Sequence, residues 1–314
     1  MKVKQHKDKK RHYLPAATIG YFSANTSPEQ LRKRLVWVLR KNSDTPRLDE
    51  AENVGFGKLI YGYGKGELFD LDDYFKPAEV WIHQPVDRIM ASDSSWIPAD
   101  DWTKLAWYIT IQITRNPDPE QGIEDIVKEG VWSRSKVGVG YPLNAQRTST
   151  AVIRARWEFV CSPDRDFILG DRGITGAYVP RWETNGYFVP LRKNFGVMLD
   201  PAPYKKPLKW YDGSWHIDIP AYTAPAEFTD EINLVTWHAA RQEIYGSNKE
   251  QLLEVKALAD SVPQSIQAIA PRYEAAQFLG LDLQERMKDE MLLLSLLFGI
   301  KEPENKSEVM HLTV

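Results

Sequence analysis

From Val152 to Ile219 bulky apolar residues recur at strand spacing, whereas on both sides of that stretch they recur at helical spacing. Val152 to Cys161 alternates bulky side chains with others, and Asp166 to Leu169 and Val197 to Leu199 are short apolar runs. Ser214 to Ile219 sets Trp215, Ile217 and Ile219 against Ser214, His216 and Asp218. These segments predict a central, mostly antiparallel sheet. Ahead of it, Ser27-Pro28-Glu29-Gln30 has the form of a helix start, with Ser27 as N-cap and Pro28 at the first helical position. A helix running to about Lys41 would then bury Leu31, Leu35, Val38 and Leu39. The glycine-rich stretch from Val54 to Gly66 reads as a strand or hairpin, and it lacks the lysine and hydroxyl that close a phosphate-cradling loop.

Pro98-Ala99-Asp100-Asp101 opens a second helix, with Trp102, Leu105, Ala106, Ile109 and Ile113 as its buried stripe. Behind the sheet, helices are expected over Thr229 to Tyr245, Lys249 to Ala259, Gln264 to Leu279 with a break at Pro271, and Asp282 to Phe298 closed by Gly299. The expectation is one large α+β domain: N-terminal helices, a central mostly antiparallel sheet and a C-terminal helical layer. With 43% hydrophobic residues and 11 Trp among 314, the chain has ample material for such a core.

The apolar run Met291 to Ile300 is shorter than the roughly 20 residues a helix needs to cross a bilayer, so neither a membrane span nor a signal peptide is expected. Cys161, the single cysteine, can form no internal disulfide and belongs to no zinc-binding pair, which points to a reducing cytoplasm. The net charge of -3 conceals an asymmetry: residues 227–314 hold 15 acidic against 8 basic side chains, leaving 28 against 32 for the rest. A basic tail fills residues 1–10, and residues 130–157 carry Arg134, Lys136, Arg147, Arg154 and Arg156 with no acid. That block reads as a long loop, either simply solvated or able to attract a weak anionic or nucleic-acid ligand.

Several short motifs occur in a fixed order. His12, Pro15, Ile19 and Phe22 open it; Gln112 and Arg115 follow at the end of a helix; Trp157, Phe159, Phe167, Ile168 and Asp171 come next; Pro190-Leu191 and then Asn233, Arg241 and Tyr245 close it. This order resembles the mostly bacterial family catalogued as domain of unknown function 4238. Gly170, Arg172 and Gly173 stand where that family carries Ser, Asn and Pro. The resemblance covers residues 11–250, leaves residues 251–314 as a C-terminal helical extension, and implies no known activity.

Asp171, after an apolar run, would present its carboxylate at a strand end as a catalytic group, or else lie in a turn and accept backbone N–H bonds. His12, beside a tyrosine and a rigid proline, suits a general acid–base, or a ring docked in the fold. Gln112, Arg115, Arg241 and Tyr245 are the candidate substrate-binding residues, with Asn233, Trp237, Arg241 and Tyr245 on one helical face. His216 and Asp218 share a strand face, but nothing accompanies them as a metal site, and no cofactor motif occurs. Two functions are compatible with this set: a hydrolase or nucleic-acid-directed effector of the bacterial stress or phage-defence kind, and a non-catalytic binding or assembly module that uses the C-terminal helices as its partner surface. The apolar helix 282–298 is expected to be buried within a monomer or a weak dimer.

Overall fold

The structure is a computed structural model that describes residues 10–58 except Thr26 and Pro28, 77–114 except Asp93, 148–179 except Thr150, 184–262, and 310–312. Its centre is a five-stranded sheet in the order β13 (Ala221–Thr223), β6 (Ala155–Cys161), β10 (Phe195–Pro203), β9 (Thr184–Arg192), β8 (Thr175–Val179), antiparallel except where β13 runs parallel to β6. Alternation divides its side chains between two cores. Trp157, Phe159, Val197, Leu199 and Val189 face one cluster, roofed by α3 (Ala99–Thr114), and Trp102 of that helix meets Trp157 at 5.8 Å. Val160, Met198 and Phe188 face the other, filled by Leu14, by Ile19 of α1 (Ala16–Gly20), and by Phe22, Phe167 and Tyr245.

The first departure from the sequence reading lies at the N-terminus. A single 3₁₀ turn at Leu31–Lys33 gives way to β2 (Leu35–Arg40), where a helix to Lys41 was expected. Leu35-Val36-Trp37-Val38-Leu39 is rich in β-branched and aromatic residues, and partners on both sides complete its ladder. β3 (Arg47–Glu50) pairs with it on one edge and β14 (Glu243–Gly246) on the other, with β7 (Leu169–Gly170) beyond, giving a second sheet in the order β3-β2-β14-β7. β1 (Lys10–His12) pairs with β4 (Phe56–Lys58), the only described part of the glycine-rich stretch that forms a strand.

The helix expected to reach Tyr245 is α4 (Ala226–Ala239), which stops where Ala240 turns extended at ψ 142. Glu243-Ile244-Tyr245 then becomes the central strand β14 of the second sheet, so Arg241 and Tyr245 share no helical face with Asn233 and Trp237. α5 (Lys249–Ser261) follows, capped by the Asn248 side chain, which accepts from the N–H groups of Glu250 and Gln251. It packs with α4 over a third cluster that includes Leu39, Ile168, Ile244, Trp237 and Leu252.

The expected helices 264–279 and 282–298 lie outside the described residues. The last described segment, β15 (Met310–Leu312), is a strand rather than part of a helical layer. It edges a third sheet in the order β15, β11 (Lys206–Tyr211), β12 (Ser214–Asp218), β5 (Trp96–Pro98). Asp212 at φ 48 and Gly213 at φ 73 make the tight turn between β11 and β12, as a two-residue hairpin loop demands. α2 (His83–Met90) packs beside α3 through Val86 and Ile89, and the Arg88 guanidinium pairs with the buried Asp101.

The basic segment 130–157 is described only from residue 148. There it is not a solvated loop: residues 148–149 and 151–154 are helical, Arg154 is buried, and β6 begins at Ala155 rather than Val152. The fold is therefore α+β with mostly antiparallel sheets. Among the described residues, no helix is long and apolar enough to cross a membrane.

Candidate functional site

Asp171 sits where the chain leaves β7, and its position is set by the neighbouring strand β14: its own N–H donates to the Glu243 carbonyl at 3.1 Å. The carboxylate is 2% exposed, not presented to solvent at a strand end. Oδ1 accepts the backbone N–H of Arg241 at 2.7 Å, and Oδ2 accepts those of Gln242 at 2.7 Å and Glu243 at 3.2 Å. The turn from α4 into β14 is thus wrapped around this carboxylate. Burial pushes the Asp171 pKa up, and the three N–H groups pull it part of the way back.

Glu243 lies opposite Arg40 in the β14–β2 register. Its Oε1 accepts from Arg40 Nε at 2.9 Å and Arg47 Nη2 at 3.3 Å, and its Oε2 accepts the Tyr245 hydroxyl at 3.1 Å. The Tyr245 oxygen is 3.5 Å from that of Tyr13, which the N–H groups of Tyr13 and Leu14 anchor by donating to the Gly55 carbonyl. Burial drives both tyrosine pKa values well up, so both hydroxyls stay protonated at neutral pH.

Gln112, in the last turn of α3, reaches the same corner. A Cβ added to Gly173, whose φ is +69, would lie 3.0 Å from Gln112 Oε1 and 2.6 Å from a Leu14 methyl. Among the described residues, neither polar atom of the Gln112 amide has a hydrogen-bond partner. Asn233 works as a bracket nearby: its side chain accepts from Ile168 N–H at 2.9 Å and donates to the Asp166 carbonyl at 3.0 Å, tying α4 to the chain entering β7.

The candidates drawn from the sequence therefore meet in part. Gln112, Asp171, Tyr245 and the backbone of Arg241 share one corner. His12 stays beside it on β1 with its ring edge-on to Phe56 at 5.7 Å, and Arg241 reaches Asp171 through its main chain while its side chain is exposed. Arg115 lies outside the described residues. His216 and Asp218 share the outward face of β12, where His216 Nδ1 lies 3.2 Å from the Ser214 carbonyl. Among the described residues, no three His, Cys, Asp or Glu side chains are grouped to hold a metal ion.

Sequence reasoning missed the cations around this corner. Lys41 donates to the His238 carbonyl at 3.2 Å and lies 6.0 Å from the Trp237 ring centroid. Burial pushes its pKa down, Asp171 pulls it up, and Arg172 pushes it down again, which places all three groups in one electrostatic neighbourhood. His238 is likewise pushed down, by burial and by Lys41. Comparison of the chain with family models, curated proteins and solved structures finds no match in any of the three.

Proposed function

We propose that the corner around Asp171 binds a phosphate-bearing anion and that the protein is a ligand-binding module rather than a hydrolase. The observation that supports this reading is the collection of cations. Arg40 and Lys41 at the end of β2, Arg47 opening β3, and Arg172 stand around Asp171 and Glu243, with Asp49 beside Arg47, four positive groups to three negative ones. A partly dehydrated cluster with excess positive charge gains when an anion arrives. Arg172 Nε is buried without a hydrogen-bond partner among the described residues, and Lys41 pays for its burial in lost basicity that an anion would restore.

The groups a hydrolase would use are already engaged. Both Asp171 oxygens accept backbone N–H groups, Glu243 is held by two guanidiniums and a hydroxyl, and the tyrosines are held protonated. Under this reading, the motifs resembling the domain of unknown function 4238 family form a folding framework for the site. A monomer or weak dimer in a reducing cytoplasm is the setting proposed for it.

Isothermal titration with inorganic phosphate and pyrophosphate tests the site. Saturable binding that weakens as salt is raised is expected, because the anion meets an excess of cations. Lys41→Met and Arg172→Gln should each weaken binding by about tenfold, the size of one charge-assisted hydrogen bond. Variants that bind like the parent would remove the site. A phosphate-ester hydrolysis abolished by Asp171→Asn in a folded protein would restore the enzyme reading.

A further inference from the structure

The segment Tyr204-Lys205-Lys206-Pro207-Leu208-Lys209-Trp210-Tyr211 interleaves aromatic and basic residues, and strand geometry sorts it into two faces. Leu208 points inward with Ile97 and Ile217, and Trp210 packs against that core. Lys209 and Tyr211 point outward. Antiparallel pairing adds His216 opposite Lys209 and Trp96 opposite Asp218 to that outer face.

These side chains hold one another in place. The Lys209 ammonium lies 4.1 Å from the Trp96 ring centroid and 5.5 Å from that of Tyr211. Tyr211 stands edge-on to His216 at 5.5 Å and is nonetheless 62% exposed. The Asp212-Gly213 turn needs no aromatic residue before it, so folding alone does not account for Tyr211. Lys209 with Trp96 and Tyr211 forms one pre-ordered cation–aromatic group on this outer face.

We propose that this face binds single-stranded nucleic acid, with a base stacked on Tyr211 and phosphates on Lys205 and Lys209. Rings pre-ordered by neighbouring cations offer π faces at low entropic cost, and any base can use them. A duplex suits the face less well, because its bases are already stacked and a flat sheet face enters neither groove. Asp212 and Asp218 at the same surface keep the contact moderate and sensitive to salt. The surface is built from other elements than the Asp171 corner, and the inference does not rest on the anion proposed there.

Fluorescence anisotropy with labelled oligo(dT) and oligo(U) of about a dozen nucleotides tests it, since stacking platforms accept single strands of either sugar. Binding that weakens with salt is expected for both, with a duplex of the same length bound more weakly. Tyr211→Ala should cost on the order of tenfold, the weight of one stacked base, whereas Tyr211→Phe, which keeps the ring, should retain binding. Lys209→Gln should lower the salt slope by about one phosphate contact. No binding of either single strand at low salt, or Tyr211→Ala binding as tightly as the parent, would overturn the proposal. Equal affinity for duplex and single strand would reduce it to general phosphate attraction and overturn the stacking.

Discussion

Asp171 and Lys206 lie in different regions, one at the corner where β7 meets β14, the other at the start of β11 against Trp102 of α3. Both are almost wholly buried, 2% and 0% exposed, and the backbone satisfies both. Three N–H groups surround the carboxylate, and the Lys206 ammonium donates to the carbonyls of Ile153 and Ala155, with the Trp102 ring centroid 5.6 Å away. What differs is the charge nearby. Asp171 has Arg172 and Lys41 in its field, whereas burial alone acts on Lys206 and pushes its pKa down to about 7. Hydrogen bonds answer the geometry of a buried charge, but a countercharge is needed to answer its free energy.

Removing the Asp171 side chain should break that comparison most severely. Asp171→Ala leaves three buried N–H groups without an acceptor, each worth about 1–3 kcal/mol, so a loss of about 4 kcal/mol or more is expected in urea unfolding. Asp171→Asn keeps one oxygen and turns an NH₂ toward the third donor, so it should recover part of the loss. A midpoint unmoved by Asp171→Ala would mean that the turn from α4 into β14 holds without the carboxylate.

Lys206 supplies a titration. Its folded pKa, about 7, lies below the ordinary 10.5, so between those values the unfolded chain holds a proton that the folded chain has released. Stability therefore rises with pH through that window, by ~2 kcal/mol from about pH 7 to about pH 9. Lys206→Met should flatten this rise, and an unchanged slope in that variant would assign the rise to other groups. Asp171, with its pKa raised, has the opposite sign: its contribution falls as pH rises just above the ordinary carboxylate range.

The regions differ as well in how far the sequence disclosed them. Strands β6, β10 and β12 and the helix from Pro98 are legible because each carries its own period and its own cap or turn. Leu35–Arg40 was misread because Leu31, Leu35, Val38 and Leu39 also fit a helical stripe behind a good cap. Its strand state depends on Glu243–Gly246, some 200 residues away, which no local window contains. The same register carries Arg40, Lys41 and Arg47 to Glu243, so the cationic corner could not be seen before the pairing was known. Asp171 was legible as a turn aspartate after a strand, yet its donors come from 70 residues downstream. The Asp212-Gly213 hairpin turn, in contrast, is a local dipeptide signal that the sequence reading passed over.

The smallest effect separates the corner's bonds from one another. Tyr245 donates to Glu243 at 3.1 Å, whereas its contact with the Tyr13 hydroxyl is 3.5 Å, at the edge of hydrogen-bond range. Tyr245→Phe removes the donor to Glu243, which keeps both guanidiniums, so about 1 kcal/mol should be lost. Tyr13→Phe removes only the long contact and should cost less. In a double-mutant cycle the two tyrosines should couple by no more than about 0.5 kcal/mol, because a bond this long is weak even where water is excluded. Coupling well above that would show that the hydroxyls act as one chain running from Tyr13 to Glu243. The corner would then be a cooperative network rather than a set of separate bonds, and a loss at Tyr13 would reach the arginines that the anion is proposed to meet.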